Sequence, residues 1–116
     1  MKTSVGIDIV DVKDFEGRLK ISKKLAERLF TYHEIEYCKK KGIEHLASRF
    51  AAKEAFMKAS GLKNISWQDV EIKNSKTGKP YLNIKKELMK KADINAIDVS
   101  ISNLKNIAIA VVVINR

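Results

Sequence analysis

The chain is predicted to be α+β, with a helix layer packed on an antiparallel sheet. Three observations predict it. Period-two alternation near the N-terminus marks a first strand, and the middle of the chain is dominated by helix formers. The C-terminal half then returns to mostly short strands, without the regular βαβ alternation of a doubly wound fold.

The elements follow in order. Residues 3–12 alternate, with Val5, Ile7 and Ile9 on one face and Gly6, Asp8 and Val10 on the other. Residues 13–30 read as one or two short basic helices whose apolar side is Phe15, Leu19, Leu25 and Leu29. Thr31 with Glu34 fits a capping box, which starts a helix running to about Lys40 and ending at Gly42. Residues 43–60, rich in Ala, form the strongest helix, with Gly61 placed to end it. A strand is expected over 66–73, then a turn at Ser75–Pro80, a strand over 81–84 and a short helix near 85–92. Two strands, 97–102 and 107–114, are joined by the hairpin-length connection Asn103–Asn106.

At 116 residues, with 45% hydrophobic and 32% charged residues, residues 1–116 read as a single globular domain. The net charge of +9 implies an anionic partner, and charge alone does not choose among nucleic acid, membrane surface, phosphate-bearing metabolite and acidic protein. Cys38 is the only cysteine, which excludes an internal disulfide and, with no signal peptide in view, suggests the cytoplasm. The longest apolar run, Ile107–Ile114, is far below the ~20 residues of a membrane helix.

Two carboxylates stand where packing would favour an apolar residue. Asp8 interrupts a run of strand formers, and Glu54 sits in the Ala-rich helix. Together they are a candidate Mg²⁺ pair, since Mg²⁺ typically takes one or two protein carboxylates. The alternative is local pairing, with Glu54 bonded to Lys58 at i,i+4. Lys53, Lys58 and Arg49 flank Glu54 and could neutralise phosphate charge, or simply form a solvated face. Lys39–Lys41 is a helix C-terminus or a phosphate contact. His33, His45 and Cys38 fit no zinc spacing, and no P-loop or nucleophile elbow occurs.

Gly6-Ile7-Asp8-Ile9-Val10, Arg49-Phe50-Ala51-Ala52-Lys53-Glu54-Ala55-Phe56-Met57-Lys58-Ala59, Gly78-Lys79-Pro80 and Val99-Ser100-Ile101-Ser102 together resemble holo-[acyl-carrier-protein] synthase, the small single-domain class of 4′-phosphopantetheinyl transferase. The resemblance spans nearly the whole chain. It implies that fold, transfer of the phosphopantetheine arm of coenzyme A to a serine of apo acyl carrier protein for fatty-acid synthesis, release of adenosine 3′,5′-bisphosphate, and a homotrimer. It makes Asp8 and Glu54 the Mg²⁺ ligands, Glu54, directly or through a metal-bound water, the proton acceptor, and Lys58 the group offsetting leaving-phosphate charge. Arg49, Lys53 and the Lys39–Lys41 turn, with Lys41 foremost, become candidates for the other coenzyme A phosphates. Gly78, Lys79 and Pro80 would lie against the nucleotide, with Ser100 and Asn103 as further contacts. Acyl carrier proteins are acidic, which gives the basic N-terminal helices a partner.

Two positions depart from the pattern. Relatives usually carry His where this chain has Asn103, which hydrogen-bonds but does not titrate. Asp14 and Glu16 interrupt the docking helix, so docking would fall on Lys13, Lys20, Lys24 and Arg28. Two rival readings are a catalytically impaired relative that binds coenzyme A or carrier protein, and a basic nucleic-acid-binding module. Only 7% aromatic residues and no stacking platform speak against the second.

Overall fold

The computed structural model describes residues 2–116. Strand β1 (Thr3–Asp11) leads directly into α1 (Val12–Ile21), where the Asp11 carboxylate accepts from the Asp14 N–H and caps the helix. Helices α2 (Lys23–Leu29) and α3 (Tyr32–Cys38) follow. The Thr31/Glu34 capping box forms as its sequence predicts. Helix α4 (Ile43–Ser60) is the longest, and Gly61 ends it in the left-handed conformation, with φ of 73°.

The expected strand over 66–73 is corrected at its start. Trp67–Asp69 is a 3₁₀ turn, and β2 covers only Val70–Asn74. The reason is side-chain demand on this segment. Trp67 packs on Phe50 with ring centroids 5.4 Å apart, while the Ser66 hydroxyl caps the Gln68 N–H. Strand β3 (Pro80–Ile84), helix α5 (Lys86–Lys91) and strands β4 (Ala96–Asn103) and β5 (Ile107–Asn115) complete the chain.

Strands β1, β5 and β4 form one antiparallel sheet in that order, with Asp8 opposite Ala110 and Asn103 opposite Ala108. Strands β2 and β3 form a separate hairpin, closed by Gly78 at φ of 91°. Helix α4 lies on the inner face of the three-stranded sheet, burying Ala47, Ala51, Ala52 and Ala55 completely against Ala108, Ala110, Val112 and Ile114. Small residues on both surfaces bring backbone close to backbone. Gly6 marks the closest approach. A Cβ there would stand 2.7 Å from the Ala59 nitrogen and closer still to the Ala55 carbonyl oxygen. Only glycine fits.

The parity of β1 follows from this. Gly6, Asp8 and Val10 point to the helix, whereas Val5, Ile7 and Ile9 point away and are 65, 60 and 64% exposed. Ile107, Ile109, Val111 and Val113 continue that outer apolar face along β5. No other element of the described chain covers it.

Candidate active site

Asp8, carried inward by β1, and Glu54 and Lys58, on successive turns of α4, line one cavity of about 330 Å³. Ile9, Val10, Asp14, Phe15, Arg18 and Phe50 complete its wall. The close approach at Gly6 makes this convergence possible, because Asp8 is two residues further along the same face and Glu54 adjoins Ala55.

The charges arrange themselves differently from the simplest sequence alternative. Lys58 does not pair with Glu54 one turn earlier. Its ammonium donates to Asp8 Oδ1 at 3.0 Å and to the Ile7 carbonyl at 3.0 Å, tying α4 to β1. Glu54 is held above the ordinary carboxylate pKa, first by burial against the apolar wall and then by the Asp8 charge, with Lys58 opposing both. A carboxylate raised in this way is a better proton acceptor than an exposed one and gains from any added cation. Two hard oxygen ligands in a polar cavity are the donor set that Mg²⁺ uses, with substrate oxygens and water filling the other positions. Among the described residues no group of three or more His, Cys, Asp or Glu side chains gathers into a metal cluster. Two carboxylates without His or Cys fit a hard, oxygen-seeking divalent cation such as Mg²⁺.

A second cavity, of about 200 Å³, brings together Arg49, Gly78, Pro80 and Asn103 from the sequence-predicted set, with Tyr37, His45, Ser48 and Asn74. Arg49 is nearly buried. It donates from Nη2 to Asn74 Oδ1, stacks its guanidinium 4.4 Å from the Tyr37 ring centroid, and leaves Nε without an acceptor. Lys41 reaches the same ring, with Nζ 4.9 Å from its centroid. Asn103 Nδ2 donates to Ser48 Oγ at 3.0 Å, and Ser48 donates onward to the Glu44 carbonyl. This holds Asn103 at the second cavity, away from Glu54.

Four predicted contacts line neither cavity: Lys41, which reaches only the Tyr37 ring, and Lys53, Lys79 and Ser100. Lys53 is wholly buried, bonded to Glu34 Oε1 at 2.7 Å and to the Trp67 carbonyl at 2.9 Å, and lies over Phe30. Glu34 also accepts from the Thr31 and Ile72 N–H groups, so the pair joins α3, α4, the 3₁₀ turn and β2. Burial lowers the Lys53 pKa and Glu34 opposes that shift. Lys53 is thus a core cross-link and does not face a ligand. Lys79 and Ser100 lie instead on the outer face of the sheet beside Asp98, with Lys79 Nζ 3.7 Å from its carboxylate.

The sequence reading missed Tyr37, His45, Ser48 and Asn74 at the second cavity, and Phe15, Phe50 and Asp14 at the first. The only local signal was Tyr37 four residues before Lys41, a spacing that brings side chains together at a helix end.

Comparison with known proteins identifies the family. The profile of the 4′-phosphopantetheinyl transferase superfamily matches residues 4–112. Holo-[acyl-carrier-protein] synthase of Geobacter metallireducens is 45% identical, over 96% of this chain and 95% of its own. That of Geobacter sulfurreducens is 43% identical over the same shares. The structure of Helicobacter pylori holo-[acyl-carrier-protein] synthase in complex with coenzyme A superposes with a TM-score of 0.88 at 35% identity, covering 96% of this chain and 99% of that one. The profile match, the identity over nearly the whole chain and the shared fold place this chain in the holo-[acyl-carrier-protein] synthase family of 4′-phosphopantetheinyl transferases.

Proposed function

We propose that the protein transfers the 4′-phosphopantetheine group of coenzyme A to a serine of apo acyl carrier protein, releasing adenosine 3′,5′-bisphosphate in a Mg²⁺-dependent reaction that serves fatty-acid synthesis in the cytoplasm. The observation that carries this reading is the convergence of Asp8, Glu54 and Lys58 in one cavity, on a fold shared with a coenzyme A-bound relative.

The serine hydroxyl oxygen attacks the pantetheine-side phosphorus of the pyrophosphate, and the bond from that phosphorus to the bridging oxygen breaks. Glu54, directly or through an intervening water, takes the hydroxyl proton. The nucleotide phosphate leaves with the bridging oxygen. Lys58 has three N–H donors, and Asp8 and Ile7 occupy two, so one remains to meet the charge on the leaving phosphate. Asp8 and Glu54 hold Mg²⁺, which when bound neutralises pyrophosphate charge. No covalent enzyme intermediate is required, because positioning and charge stabilisation carry most of such a reaction.

The second cavity suits the anionic nucleotide end. It holds a buried guanidinium N–H with no acceptor, and Gly78 and Pro80 form part of its wall. Asn103 serves this cavity through hydrogen bonding, which needs no titrating group and favours an active enzyme over an impaired relative. Lys13, Lys20, Lys24 and Arg28 on α1 and α2 offer a basic face to an acidic carrier protein.

Arg49 and Lys58 are nine residues apart on α4, which at about 100° per residue places them on opposite sides of the helix. One chain therefore presents two half-sites, and a neighbouring copy would complete each. The outer sheet face of Val5, Ile7, Ile9 and the β5 residues is an apolar surface suited to that contact. We take the assembly to be the homotrimer of the family. Light scattering should give the mass of three 13.1 kDa chains. A monomer that is fully active would contradict the shared site.

The reaction itself is tested by chromatography of the nucleotide products. Adenosine 3′,5′-bisphosphate should appear only when protein, Mg²⁺, coenzyme A and apo carrier protein are all present. Its release without carrier protein would show hydrolysis in place of transfer.

A further inference from the structure

Arg49 is 4% exposed and makes no ion pair with any carboxylate among the described residues. A buried guanidinium with a bare N–H is costly unless an anion completes it. Lys41 likewise has no carboxylate partner among the described residues, and it reaches the ring on which Arg49 stacks. What gathers the two like charges is a single ring. Tyr37 has the Arg49 carbon 4.4 Å and the Lys41 nitrogen 4.9 Å from its centroid, and it lines the second cavity itself.

We propose that Tyr37 is a positioning residue for coenzyme A, its aromatic face holding Arg49 and Lys41 together so that they receive the phosphomonoester of the nucleotide end. This rests on the reading of the second cavity as the nucleotide pocket. The electron-rich face of the ring attracts both cations and offsets part of their mutual repulsion. A doubly charged phosphate would cancel the rest, and the ring restricts where each cation can sit before the phosphate arrives. Asn74 fixes Arg49 from the other end, so the guanidinium plane is set by Tyr37 and Asn74 together. The hydroxyl of Tyr37 plays no part in this arrangement.

The test compares Tyr37→Leu with Tyr37→Phe by titration calorimetry, using coenzyme A and dephospho-coenzyme A as ligands. Wild type should bind coenzyme A more tightly than the dephospho form. Tyr37→Leu should weaken coenzyme A by about tenfold, as expected when two cation–ring contacts are lost, and dephospho-coenzyme A by much less. Tyr37→Phe should stay within about twofold of wild type for both ligands, because the ring face survives. The melting temperature of each free variant confirms that the comparison concerns folded protein. If wild type discriminates and Tyr37→Leu discriminates equally well, the assignment of Tyr37 is overturned while the pocket stands. If Tyr37→Phe is as weak as Tyr37→Leu, the hydroxyl acts and the ring argument is overturned. Equal binding of both ligands by wild type would overturn the pocket reading and the proposal with it.

Discussion

Lys58 and Asp8 form an ion pair of 3.0 Å between helix α4 and strand β1, although Glu54 lies one turn from Lys58 on the same helix. Burial against an apolar wall and then the Asp8 charge hold Glu54 above the ordinary carboxylate pKa, with Lys58 opposing both. Lys58 closes the strand–helix seam, and in the proposed reaction it would also meet the charge of the leaving group.

Lys58→Ala should therefore lower kcat by about 10²-fold with every carrier protein, while changing the KM for coenzyme A only a few-fold. Steady-state kinetics with two different carrier proteins check it. A pure KM effect would show that Lys58 binds ground state and transition state alike.

The raised Glu54 pKa has a consequence for stability. The folded state holds its proton above the ordinary value of 4.5, so the stability associated with Glu54 is present below that pH and is lost as pH rises through the elevated value. Glu54→Gln should abolish transfer yet raise the melting temperature at neutral pH and flatten its decline above pH 4.5. Mg²⁺ should raise the melting temperature of wild type but not of Glu54→Gln. A variant that melts lower than wild type at pH 7 would contradict the assigned strain.

Gly6→Ala inserts a methyl group into backbone atoms of α4 that cannot retract. Overpacking of this kind costs about 1–3 kcal/mol, readable by urea denaturation. Because the displaced strand carries Asp8, Mn²⁺ binding followed by electron paramagnetic resonance should weaken in the same variant. Unchanged Mn²⁺ affinity would mean that Gly6 packs the sheet without spacing the carboxylates.

Lys53→Met leaves Glu34 charged in the core and should destabilise by about 3–5 kcal/mol, whereas adding Glu34→Gln should recover part of the loss. Among folded molecules coenzyme A affinity should match wild type. A selective loss of coenzyme A binding at normal stability would return Lys53 to the ligand.

Much of this was legible in the sequence. The Thr31/Glu34 box and Gly61 fixed helix ends by local hydrogen bonding and backbone freedom, which need no tertiary information. Asp8 and Glu54 stood out because each breaks the composition of its own element. Lys53 and Arg49 looked the same as Lys58 because their fates depend on how α4 is rotated against the rest of the fold, and no local pattern states that rotation. Trp67, Asp69 and Glu71 alternate like a strand, yet the Trp67 carbonyl serves Lys53 and the backbone turns to let it. Ser100 and Asn103 differ by an odd number on one strand and so cannot share a face, a constraint that parity alone would have supplied.

Intact-mass spectrometry of the carrier protein tests the central claim most directly. Apo carrier protein incubated with coenzyme A, Mg²⁺ and wild-type enzyme should gain the mass of one phosphopantetheine group on its serine. The gain should disappear with chelator and with Asp8→Asn or Glu54→Gln. No gain with wild type, or an undiminished gain with both variants, would contradict transfer at the Asp8–Glu54 cavity.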